Sequence, residues 1–264
     1  MLNEMEKEKV SRRKFLVGSA AFAVGAVAAG VTSGINPKAV AAAAPALPFP
    51  YQLLDVNLVR QRGYNNYFSG GCMYASAKAL LETLVEVVGA PWDSIPGDMF
   101  KFGKGGALNW GTLCGALNGS IAIIELASGN AAETIGPELL GWYTKFPFPS
   151  NAHESYCHYP NQITTISDSP LCHQSVTLWC AASGATINSV EKKDRCAKLA
   201  GDTAAKTAEL LNAWKLGTFV AGYKPDADYA RCLPCHVGPT SSKDNVQTQM
   251  DCLECHTDRA NHKL

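Results

Sequence analysis

Gly70-Gly71-Cys72-Met73-Tyr74-Ala75-Ser76-Ala77-Lys78-Ala79-Leu80-Leu81-Glu82-Thr83-Leu84-Val85-Glu86-Val87-Val88 is the stretch that sets the fold class. Met73, Ala77, Leu80, Leu81, Leu84 and Val88 recur at helical spacing behind the glycine pair, and Pro91 ends the run. Downstream, Leu113, Leu117, Ile121 and Ile124 predict a second helix, and Cys196, Leu199, Thr203, Thr207, Leu210 and Trp214 one face of a third. Pro137 to Phe146 offers another. Pro91 to Gly97 and Phe102-Gly103-Lys104-Gly105-Gly106 read as loops, and the second lacks the G-x4-G-K-[ST] pattern of a phosphate loop. With 264 residues and ordinary apolar content, the chain can bury one core of normal size. The expectation is a mainly α, compact helical body.

Six cysteines fall in this body: Cys72, Cys114, Cys157, Cys172, Cys180 and Cys196. Cys72 stands at the start of its predicted helix, where amide groups and the helix dipole favour a thiolate. Cys114-Gly115-Ala116-Leu117-Asn118-Gly119 puts two glycines four apart beside a cysteine, so backbone approaches something closely there. That neighbour is either a tightly packed helix or a bulky cofactor held by Cys114 with other thiolates. The residues alone leave both open.

Near the C-terminus stand Cys232-Leu233-Pro234-Cys235-His236 and Cys252-Leu253-Glu254-Cys255-His256. Two thiols three positions apart can add to the two vinyl groups on one edge of a haem, and the adjacent imidazole reaches the iron. The cysteines alone also satisfy a zinc ribbon or two disulfides. Histidine decides against both, because only six occur in the chain and one follows each pair directly. Two haem c groups cannot be buried by so short a tail, so they must lie against the body or a second subunit. This makes residues 226–264 an irregular C-terminal haem-binding segment. Of the remaining histidines, His158 and His173 each follow a cysteine and are favoured as distal ligands over His153 and His262; Met73, Met99 and Met250 stay open as alternatives.

At the other end, Ser11-Arg12-Arg13-Lys14-Phe15-Leu16 precedes an Ala- and Gly-rich apolar run, and a small-residue cleavage pattern follows at Ala39-Val40-Ala41. This is a twin-arginine export signal, residues 1–41, and it implies a periplasmic mature protein with no membrane span left after removal. Residues 42–225 then form the cysteine-containing redox domain. The signal takes away six basic and three acidic residues, so the mature chain carries net charge −3, which argues against nucleic acid as a partner.

Gly71-Cys72, Cys114 to Gly119, Cys172 in Pro170-Leu171-Cys172-His173, Cys196 in Asp194-Arg195-Cys196-Ala197-Lys198 and the two terminal motifs together resemble the split-Soret cytochromes c of sulfate-reducing bacteria. The bodies of those proteins belong to the redox-active family named for its C, G-C-A-x-x-G, C, C pattern. Leu113 departs from the pattern, standing where the family name has Gly. The resemblance implies a homodimer with haems packed face to face near the subunit boundary, and bis-histidine ligation that can draw on the partner chain. It also implies an iron-sulfur centre, [2Fe-2S], carried over to Cys72, Cys114, Cys172 and Cys196. Cys157 and Cys180 fall outside the motif, either replacing one of these or pairing as a disulfide.

Twin-arginine export carries folded proteins, which suits a body that closes around a cluster before export and receives haem afterwards. The sequence thus reads as an exported dihaem c-type cytochrome that exchanges electrons with redox partner proteins, not as an enzyme. Two alternatives remain: a haem-dependent reductase of a small oxyanion, and a thiol-disulfide redox protein coupled to haems.

Overall fold

The computed structural model describes residues 45–224, 227–246 and 249–250. The expected export signal, residues 1–41, and Cys252, Cys255 and His256 of the second C-x-x-C-H motif lie outside the described residues.

Among the described residues six α-helices carry the fold: α1 Val56–Val87, α2 Gly115–Ser128, α3 Ala132–Lys145, α4 Cys172–Ser183, α5 Val190–Lys215 and α6 Ala227–His236. Among the described residues there is no strand, only the isolated bridges Leu113 to Leu171 and Phe148 to Thr165. Asp55 starts α1 by accepting from the Asn57 and Leu58 amides, and Ser189 starts α5 by accepting from Lys192. The α1 helix is two segments joined at Gly71, whose φ of 80° breaks the helical path. The periodicity starting at Met73 therefore marks the second segment, while the first, from Val56, carries too many polar residues for its pattern to show.

The core lies between the second segment of α1, α2 and α5. Ala75, Ala79, Leu80 and Leu84 of α1, Leu117, Ile123 and Ile124 of α2, and Ala204, Ala208 and Leu211 of α5 are sealed from solvent. Small residues at these positions let the helices approach closely. A Cβ at Gly115 would overlap the Gly103 carbonyl and come within 2.9 Å of the Met73 nitrogen; one at Gly119 would overlap the Met73 carbonyl. The two glycines thus face the α1 backbone, which selects the helix-packing explanation for that pair. The approach is carried by Gly115 and Gly119, so the departure at Leu113 costs nothing there.

The α4 helix, which has a weakly patterned sequence, was not legible as an element. Within residues 226–264 the described part holds α6, Ala227–His236, followed by turns, bends and irregular chain. Among the described residues no helix is long and apolar enough to cross a membrane.

Candidate metal centre and haem segment

Three helical starts converge on one buried site. Cys114 is the N-cap residue of α2, Cys172 opens α4, and Cys72 opens the second segment of α1 directly after the Gly71 break. Backbone bonds staple the first two together: the Cys114 amide donates to Pro170 O (2.9 Å), and the Cys172 amide to Thr112 O (2.8 Å). Cys196 joins them from the second turn of α5. All four side chains are at least nine-tenths buried, and every pair among them interacts electrostatically.

Burial pushes the Cys72 thiol well up from its ordinary value, and repulsion from Cys196, Cys114 and Cys172 adds to it; a bond from the Gly105 amide works the other way. Cys172 is pushed up to about 12, again by burial first and then by Cys114 and Cys196. Cys114 is also raised by burial, against the opposing influence of the Tyr143 hydroxyl turned toward it and of the Ala116 amide. The sequence expectation that the helix start makes Cys72 a ready thiolate is thereby corrected: desolvation outweighs the dipole. As placed, the sulfurs are not at ligand spacing, since among the described residues no three His, Cys, Asp or Glu side chains form a group able to hold a metal ion.

The residues lining the site are the part that sequence reasoning missed. Tyr67 packs against the cluster of Cys172, Val176 and Cys196. Tyr143, fully buried, turns its hydroxyl toward Cys114 with no well-aligned hydrogen-bond partner. Arg195, 1% exposed, donates from Nη2 to Ser175 Oγ at 2.9 Å, while its Nε and Nη1 have no partner. Cys180 packs half-buried at the edge, against Cys172 and Cys196. Cys157 and Cys180 are both free thiols, so the disulfide expected as one option for them is absent. Buried, partnerless donors around four thiols are what an anionic sulfur centre needs and what an apolar core does not explain. In donor set and surroundings, the residues fit a thiolate-held cluster.

A second site adjoins it. His158 is exposed (side chain 64%), and its Nδ1 lies 3.2 Å from Tyr64 Oη and 3.7 Å from Asp194 Oδ1. Tyr64 in turn donates to Asp194. That arrangement fixes the ring and leaves Nε2 outward, the way ligating histidines are held. His173, on the first turn of α4, is also exposed. His153 differs: it is sealed, with Nε2 at 2.9 Å from Asp202 and Nδ1 at 2.9 Å from Tyr156, so both nitrogens serve the core. Met73 lies buried under α2, while Met99 and Met250 are exposed.

In α6, Cys232, Cys235 and His236 fall at positions i, i+3 and i+4, which share one helix face. Asn245 Oδ1 lies 2.9 Å from His236 Nδ1, and the Asn245 amide donates to His236 O, folding the following turn against the motif.

A family profile described as putative redox-active protein (C_GCAxxG_C_C) matches residues 74–210. The chain belongs to this family. Cys114, Cys172 and Cys196 of the C_GCAxxG_C_C family member lie inside the match, and Cys72 just ahead of it. Split-Soret cytochrome c from Desulfovibrio desulfuricans is 29% identical over 269 residues, spanning 95% of this chain and 96% of that protein. A solved structure of split-Soret cytochrome c from Desulfovibrio desulfuricans, described for a novel iron centre, matches with a TM-score of 0.75 and 30% identity over 80% of this chain and 91% of that one. The helical fold is shared, and the chain is a redox protein of the electron-transfer kind.

Proposed function

We propose that this is an exported periplasmic electron carrier, matured by loss of residues 1–41, with two haem c groups and a [2Fe-2S] centre in each chain of a homodimer. The first haem is tethered by Cys232 and Cys235 with His236 as proximal ligand, the second by Cys252, Cys255 and His256. His158 and His173 serve as distal ligands, and Cys72, Cys114, Cys172 and Cys196 hold the cluster. The groups supply one-electron reduction and oxidation; the protein's part is to position and insulate them.

One observation carries this reading: four buried thiols from four helical segments face one site lined by partnerless buried donors. It also disfavours thiol-disulfide chemistry, because raised pKa values suppress the thiolate such chemistry requires. The His158 site supports distal ligation, since its Nδ1 partners are those of a held ligand. Contact between the two sites supports transfer within the chain. Tyr67, against Cys196, meets Phe68 at 5.5 Å between ring centres, and Phe68 meets His158 at 5.0 Å.

The test is a pyridine haemochrome assay together with an optical spectrum of the mature protein. Two covalent haems per chain in six-coordinate, low-spin form support a carrier. A five-coordinate haem in the wild type would turn the reading toward a reductase, and absence of covalent haem would end it.

A further inference from the structure

Arg195 lies at the buried thiol site and carries an unspent charge. Its guanidinium is sealed from solvent and within electrostatic reach of Cys114, Cys172, Tyr143 and, at the edge, Cys180. Of its three nitrogens only Nη2 has a hydrogen-bond partner, the Ser175 hydroxyl, and Nε and Nη1 donate to nothing. Asp194, its neighbour in sequence, spends its carboxylate on Tyr64 and Lys198, so it does not answer the charge. A buried cation with idle donors is costly unless an anion meets it, and the groups it faces become anionic only as thiolates.

We propose that Arg195 is the internal counter-charge of the iron-sulfur centre, a positioning residue that donates from Nε and Nη1 to the sulfurs and raises the reduction potential. The proposal rests on the cluster reading above. Four thiolates around an oxidised [2Fe-2S] core leave a dianion, and adding one electron makes a trianion, so a fixed cation nearby favours the reduced state. Tyr143, with its own idle hydroxyl at Cys114, adds a neutral donor on the same side.

The experiment compares the wild-type full chain with Arg195→Met and Arg195→Lys, counting iron and acid-labile sulfide and measuring the cluster potential by EPR-monitored titration. Arg195→Met is expected to keep its sulfide and lose about tenfold or more in the equilibrium constant for one-electron reduction, about 59 mV toward lower potential. Arg195→Lys is expected to recover most of that loss. A fully loaded Met variant with an unmoved potential overturns the proposal. Should the Met variant not load, the Lys variant decides: loading with a near-wild-type potential upholds the counter-charge, and failure to load in a chain whose metal-free melting is unchanged overturns it. Labile sulfide missing from the wild type itself sinks the cluster reading on which all of this stands.

Discussion

His158 and His153 show how two histidines five positions apart acquire opposite roles. His153 spends both ring nitrogens on Asp202 and Tyr156 inside the core, whereas His158 spends one on Tyr64 and presents the other to solvent. Replacing exposed His158 with Ala should therefore change stability by no more than about 0.5 kcal/mol, yet convert one haem from low to high spin in the optical spectrum; an unchanged low-spin spectrum would remove His158 from the ligand set. The thiols make a pH prediction. Cys172 titrates near about 12 in the fold against 9.0 for the ordinary thiol, so between those values the folded chain holds a proton that the unfolded chain has lost. Metal-free stability is thus complete below the lower value and declines as pH rises toward the higher one. Urea midpoints of the metal-free chain should fall between about pH 8 and about pH 10. At this scale the sequence exposed residues that announce themselves by spacing, such as the attachment motifs and the four motif cysteines. Tyr67, Tyr143 and Arg195 reach the site only through the tertiary fold, so nothing in local pattern marks them.

Close contact between α1 and α2 depends on two missing side chains. A Cβ at Gly119 would run into Met73 O and sit 3.1 Å from Ala77 N, and backbone on both sides cannot easily yield. Gly119→Ala should cost about 1–3 kcal/mol in a denaturant titration, in the range of core overpacking. Lys198 of α5 holds the segment that carries His158. Its sealed ammonium donates to Tyr159 O at 2.6 Å and pairs with Glu154 at 3.3 Å and Asp194 at 3.6 Å. Lys198→Met leaves those carboxylates unanswered and should destabilise by about 3 kcal/mol or more, with the haem spectrum disturbed even in the folded fraction. Helices with a clear apolar stripe were legible from sequence, which is why α2, α3, α5 and the second segment of α1 were expected. The first segment of α1 and the α4 helix were not, because neither shows a plain stripe: the former is interrupted by polar residues, and the latter buries only Cys172, Ser175, Val176 and Trp179. The glycine pair of α2 was visible, but choosing between helix and cofactor as its neighbour required the packing itself.

Over the whole molecule, the helical body brings four distant cysteines, separated by up to 124 positions from Cys72 to Cys196, to one site beneath the surface where His158 stands. The chain belongs to the C_GCAxxG_C_C family and shares its helical fold with split-Soret cytochrome c. The mainly α class was readable because periodicity is local; the wall of the thiol site depends on contacts between elements and was not. Since the thiols and the C-terminal motifs are separate in sequence, their cofactors should be separable. Cys114→Ser is expected to abolish labile sulfide while leaving both covalent haems in place. The most direct test is therefore total iron and acid-labile sulfide per chain in the purified wild-type protein, with haem iron counted on the same sample. Iron in excess of haem, accompanied by about one sulfide for each extra iron, is the expected result for a [2Fe-2S] centre. Haem accounting for all the iron, with no labile sulfide, would contradict the thiol-held cluster.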